Sequence, residues 1–224
     1  MRAKAPRLLV VAAFFVFGSF AAPAVFAQSD VFSKPATGDS RAELERSCAA
    51  LSRSPVMRGS FTQRREIKKL GRSLVSSGRF ALSRADGMLW DTRKPFPSAM
   101  ALTDSRIVQT SGQGKKSVID ARENPSFQQF ADTIRSVFSG DVDALFARFE
   151  VFFVSGPDGA WELGLIPKDA TIKQAISSMR LSGKANVEGF VLLEPSGDTV
   201  TYRFADHSFS EALTDDERKL FSDR

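Results

Sequence analysis

Hydrophobic and polar positions change their rhythm several times along the chain. Leu8–Phe17 (LLVVAAFFVF) is a ten-residue apolar run behind the basic segment Met1–Arg7. Val25-Phe26-Ala27 then places compact residues three and one positions before a cleavage point. This three-part pattern predicts a secretory leader over residues 1–27, cut after Ala27. An extension of the run through Gly18–Ala22 leaves a membrane anchor as the alternative. Residues 28–38 are polar, contain Pro35 and Gly38, and read as a flexible tether. The rest, residues 39–224, is expected to form one domain.

Within that domain, Ser40-Arg41-Ala42-Glu43 reads as a capping box. Leu44, Cys48 and Leu51 then recur at helical spacing on one apolar face. From Val56 the period becomes two. Segments 56–67, 73–83, 87–92, 98–103, 106–110 and 115–120 alternate or carry β-branched and aromatic residues, with turn residues such as Gly71 and Asp86-Gly87 between them. Asn124-Pro125 predicts a helix start. Phe127, Phe130, Ala131, Ile134 and Phe138 line its apolar face, and a second short helix begins at Asp141. Strands are expected again over 149–155, 160–166, 172–182, 187–194 and 199–204. A last helix begins at Thr214, whose Thr214-Asp215-Asp216-Glu217 is a second capping box. Strands and helices do not alternate, which disfavours a parallel sheet. About eleven antiparallel strands in one sheet must curl, so the expected fold is mainly β: a half-open antiparallel β-barrel with a helical lid over its concave side.

Composition narrows the chemistry. Among 224 residues there is one cysteine and one histidine, which excludes an internal disulfide, a cysteine-based zinc site and a histidine cluster. Cys48 reads as a small buried hydrophobe. His207, between Asp206 and Ser208, lies where a polar loop is expected after the last strand, and a triad does not use sequence neighbours. Phosphate-loop and EF-hand patterns are absent. No catalytic residue, metal site or cofactor is therefore expected, and the protein is not read as an enzyme.

The formal charge of +5 comes partly from Arg2, Lys4 and Arg7 of the leader, without which the remaining 197 residues carry +2. Ten Lys/Arg against three Asp/Glu fall between Arg58 and Lys94, so a basic first region faces an acidic remainder. Arg64, Arg65, Lys68, Lys69 and Arg72 cluster at the first hairpin. They read either as a solvated hairpin or as a docking patch for anionic headgroups or an acidic protein face. Nucleic acid is disfavoured: one Tyr and two Trp leave few stacking rings.

Gly59-Ser60-Phe61-Thr62-Gln63, then Ser76-Ser77-Gly78-Arg79-Phe80, then Gly87-Met88-Leu89-Trp90 running to Pro95 form an ordered series. With Trp161–Lys168 and Val191–Glu194 further on, the series resembles the LolA-like outer-membrane lipoprotein carrier proteins over about residues 42–205. The resemblance implies an incomplete barrel lidded by helices, with a hydrophobic cavity for acyl chains. It implies a periplasmic carrier that shields lipoprotein acyl chains between the inner and outer membranes. The partners it implies are an acylated lipoprotein or other amphiphile, an inner-membrane exporter and an outer-membrane acceptor; the protein itself is expected to be a monomer. A carrier of glycolipid or polyene lipid, or a lipid-sensing regulatory module, is the alternative. The expected lining is Phe61, Phe80, Leu82, Met88, Trp90, Met100, Leu102, Met179, Leu181 and Leu192. Phe127, Phe130, Ile134 and Phe138 are expected on the lid. Arg84, six residues before Trp90, matches the position of the family's lid-tethering arginine. The chain departs from the best-known members after its last strand, where a short helix is read instead of a long C-terminal strand and loop.

Overall fold

Short turns between alternating segments let each strand pair with the one just made, and two such meanders build the sheet. The computed structural model describes residues 30–51, 54–103, 105–120, 136 and 141–221. The first meander is β1 (Val56–Ile67), β2 (Arg72–Ser83), β3 (Gly87–Lys94), β4 (Ser98–Leu102), β5 (Arg106–Ser111) and β6 (Lys116–Asp120). The second is β7 (Phe149–Ser155), β8 (Trp161–Pro167), β9 (Ser178–Gly183), β10 (Val187–Leu193) and β11 (Thr199–Ser210). Antiparallel pairing of β1 with β11 joins them into one eleven-stranded sheet, ordered β6-β5-β4-β3-β2-β1-β11-β10-β9-β8-β7. The sheet does not close: β6 and β7 are its edges.

Among the described residues, the short helices that accompany it include α1 (Asp39–Leu51), α2 (Val142–Arg148), α3 (Ala170–Lys173) and α4 (Asp215–Phe221). Leu44 and Cys48 of α1 are buried, as is Leu145 of α2. These three pack with Val151, Phe153 and Leu163, on the concave face of the second meander. Burial pushes the Cys48 thiol up to about 11, which suits an inert packing role. α4 lies on the opposite, convex face. Leu213, Leu220 and Phe221 cover Val56, Ala81, Leu89, Ala101 and Val108 there. The capping box expected at Thr214 forms: its N–H donates to Glu217 Oε2 (2.7 Å), and the Glu217 N–H donates to Thr214 Oγ1 (3.3 Å).

Glu217 also fixes α4 to the sheet. Arg58 donates to it twice, from Nε and Nη2, each at 2.6 Å. The guanidinium holds the Glu217 carboxyl down at about 2, from an ordinary 4.5. Both side chains are about four-fifths shielded, at 21% and 19% exposure. A depressed carboxylate stabilises the fold fully above its unfolded value, and the gain disappears as the pH falls through the folded value. Discounted for solvent screening, the pair is expected to contribute about 1–2 kcal/mol. Glu217→Gln should therefore lower stability by that amount at pH 7. The gap between variant and parent should close as the pH falls from 4.5 toward 2, read by urea unfolding across pH. A gap independent of pH would show that the carboxylate is not the anchor.

Four sequence expectations are corrected. The stretch read as a tether is packed from Val31 to Ala36. Val31 is buried against the convex side, residues 34–36 bond to the β7 edge (Phe153 N–H to Lys34 O, 3.0 Å; Ala36 N–H to Val151 O, 2.8 Å), and Ala36 enters the concave core. The capping box at Ser40 does not form. Helix α1 begins at Asp39, Ser40 Oγ donates to Thr37 O (2.8 Å), and Glu43 instead accepts from Ser155. The strand read over 172–182 starts only at Ser178. Asp169 caps α3 by accepting from Thr171 and Ile172, and the buried Ile172 and Ile176 are joined by a bond from the Ile176 N–H to the Ile172 carbonyl (2.8 Å) rather than alternating along a strand. Finally, the last strand runs to Ser210, a long C-terminal strand where a loop was read.

Candidate functional site

Residues directly opposite in an antiparallel ladder point to the same face, so the register assigns every side chain. Met57, Gly59 and Phe61 of β1 lie opposite Leu82, Phe80 and Gly78 of β2. Phe80 and Leu82 lie opposite Trp90 and Met88, and these lie opposite Met100 and Leu102. On the other side Phe61 lies opposite Phe204. From Val200 and Tyr202 the ladder passes through Leu192 and Phe190 to Met179 and Leu181, then to Leu165 and Leu163. All ten residues expected to line a cavity thus share the concave face. Phe61, Met179, Leu181 and Leu102 are at most 3% exposed.

The middle of this face is aromatic for a reason visible in the strands themselves. Gly59-x-Phe61 and Gly78-x-Phe80 run antiparallel, so each glycine faces the other strand's phenylalanine. A Cβ at Gly59 would lie 2.7 Å from the Phe80 ring, and one at Gly78 would lie 2.9 Å from the Phe61 ring. Missing side chains therefore let both rings lie against the backbone, an arrangement that covers glycine backbone with aromatic surface. Phe61 stacks on Trp90 at 4.1 Å, and Trp90 meets Tyr202 edge-on at 5.3 Å. Tyr202 stacks with Phe204 at 6.0 Å and with Phe190 at 5.8 Å. Burial pushes the Tyr202 hydroxyl up to about 12, with the Arg65 charge opposing. This floor joins the core of the second meander to the cluster of Met88, Leu102 and Ile107 in the first. In that cluster Trp90, Met100 and Leu82 are only partly buried, and the described residues packed with them all come from strands.

Sequence reasoning missed Tyr202, Phe204 and Phe190 as part of this floor, although Tyr202 and Phe204 alternate in an expected strand. It also misplaced His207. The histidine lies within β11, not in a loop, and meets Phe80 edge-on at 6.1 Å. Its Nε2 is buried without a hydrogen-bond partner among the described residues. Asp206, at φ +55°, sits in an irregularity between Ser60↔Ala205 and Arg58↔Ser208. That extra residue turns His207 and Phe209 onto the side of Met57. Arg84 is exposed at the β2–β3 turn, where its N–H donates to Pro55 O at 3.1 Å. Phe127, Phe130, Ile134 and Phe138, expected on a lid, lie outside the described residues. Among the described residues no cluster of metal-ligating side chains occurs. The arrangement can bury apolar chains.

A family model for the outer membrane lipoprotein carrier protein LolA matches residues 52–221. No curated protein matches the sequence. Among solved structures, the chain is similar to one in the Pseudomonas aeruginosa MucA/MucB complex, with 16% identity and a TM-score of 0.47. That match covers 82% of this chain and 60% of the other. A putative outer membrane lipoprotein-sorting protein domain from Vibrio parahaemolyticus matches with 10% identity and a TM-score of 0.45, over 80% of this chain and 97% of its own. A LolA superfamily protein from Nitrosomonas europaea matches with 8% identity and a TM-score of 0.45, over 81% and 96%.

Proposed function

The chain belongs to the LolA family of outer membrane lipoprotein carrier proteins, and from that premise we propose that it seats lipoprotein acyl chains on its concave face during transfer from the inner to the outer membrane. The family is periplasmic and consists of carriers, not enzymes. The observation that carries the reading is the apolar stretch of the concave face from Leu163 and Leu165 on β8 to Leu102 on β4 and Ile107 on β5, with an aromatic floor linking its two halves. Burying an acyl chain gains about 0.8 kcal/mol per methylene, so about ten methylenes supply on the order of 8 kcal/mol before ordering costs. That is enough to hold a chain in water. Release then requires a competing apolar acceptor, and Met88, Met100 and Met179 provide a lining that repacks as the chain leaves.

The test is direct. Protein purified from a periplasm should carry amphiphile detectable by mass spectrometry, and should release acylated lipoprotein from inner-membrane vesicles. Neither bound amphiphile nor release would overturn the proposal. Arg84 is proposed to tether the lid over this face. Arg84→Leu, at an exposed turn position, should leave the melting temperature within about 2 °C. It should change the rate of cargo uptake or release at least severalfold. Unchanged transfer kinetics would remove Arg84 from the mechanism.

A further inference from the structure

The end of the sheet that bears the β1–β2, β3–β4 and β10–β11 turns differs from the rest of the surface. Seven large apolar side chains are exposed among the described residues, and five of them lie at this end: Leu70 (62%), Val75 (54%), Phe96 (49%), and Leu74 and Leu193 (39% each). Leu70 stands at the tip of the first hairpin, in a turn of Lys68–Leu70 closed by Gly71 at φ +57°. The hairpin projects past its neighbour, because β2 pairs with β3 only as far as Ser77↔Lys94 and leaves Arg72–Ser76 beyond that ladder. Carried on along both strands, the same register puts Val75 and Phe96 at matching depth.

Charge accompanies these side chains. Lys68, Lys69, Lys94 and Lys115 are exposed at the same end. The acids beside them are engaged: Glu194 and Asp198 pair with Arg65 at 2.9 and 3.5 Å, and Glu66 pairs with Arg64 at 3.0 Å. Soluble surfaces do not gather apolar side chains without a use for them. Apolar residues at a projecting tip, ringed by lysines, match the interface of an anionic bilayer, where apolar groups enter the acyl boundary and cations meet the phosphates. An acidic protein face would use the lysines but leaves Leu70 at the hairpin tip, and the exposed Val75 and Phe96 behind it, with less to cover them.

We propose that this end docks the protein on anionic phospholipid membrane, with Leu70 as the inserted residue and Lys68 and Lys69 as its headgroup contacts. The inference is independent of whether the concave face carries cargo. It is tested with residues 28–224, which contain every described element of the fold, by co-sedimentation with vesicles of phosphatidylethanolamine and phosphatidylglycerol and with vesicles of phosphatidylcholine alone. Binding is expected on the anionic vesicles, at least tenfold stronger than on the neutral ones, and falling steeply with added salt. Lys68→Glu with Lys69→Glu, and separately Leu70→Ser, should each weaken it at least tenfold without moving the melting temperature. A wild-type protein that binds neither vesicle, as docking on an acidic protein would give, overturns the proposal. So does binding that is insensitive to salt or unchanged in both variants.

Discussion

Gly78→Val should destabilise the protein by about 3 kcal/mol or more, lowering the melting temperature by roughly 6–12 °C. Residue 78 has no room for any side chain. A Cβ there would lie 1.9 Å from the Asp91 carbonyl oxygen on β3 and 2.9 Å from the Phe61 ring. Carbonyl oxygens of a paired strand cannot swing away as a side chain can, so the β2–β3 ladder must part. Phe61 must leave the glycine as well, and with it goes the Trp90 stack at 4.1 Å. Gly156→Ala is the matched control, because a Cβ there meets nothing closer than 3.7 Å and the backbone φ is −119°. Thermal unfolding of the two variants side by side decides the matter. If they shift alike, the glycine–phenylalanine pairing is not what holds the centre of the sheet.

Met100→Glu should weaken acyl-chain binding about fiftyfold while the protein remains folded. Met100 is half-buried on the concave face among Met88, Leu102 and Trp90. A carboxylate at that point keeps its water and displaces roughly three methylenes of a bound chain, about 2.4 kcal/mol, which is close to a factor of fifty. Thr110→Glu puts the same charge on neighbouring β5, but on the convex face, since Thr110 lies opposite Ala99 rather than Met100. Titration with a fluorescent fatty acyl probe should separate the two variants. Equal affinities would move the acyl seat away from the concave face.

Strand positions in the first meander were legible because their side chains obey the face they occupy. Val56–Ile67 was bounded correctly, and every expected lining residue falls on one side. What stayed hidden involves backbone or distant partners. The packed stretch Val31–Ala36 bonds to β7 through main-chain groups, which leave no mark in the sequence, and it is too short to show a period of its own. His207 and Phe209 were read as loop because one inserted residue, Asp206 at positive φ, reverses the alternation midway along a strand. The anchoring of α4 by Arg58 depends on residues 159 positions apart, and nothing local in either segment announces it. The motif Gly-x-Phe was visible twice, but its meaning required the register that sets one copy against the other.

The seam between β1 and β11 fixes when the protein becomes competent. Val56 lies opposite Ser210, so one of the first strands to leave a ribosome or an export channel finds its second neighbour only in one of the last. Each meander can assemble from local contacts as it emerges, but the join must wait for nearly the whole chain, and such distant pairing is slow. Until then β1 presents an unpaired edge next to half an apolar surface, the condition under which strands recruit strands from other molecules. Arrival of β11 closes that edge and completes the aromatic floor in the same event, since Tyr202 and Phe204 come with it. A truncated chain thus lacks both its finished sheet and its floor, and the final strand serves as the checkpoint on whether the molecule is ready for use.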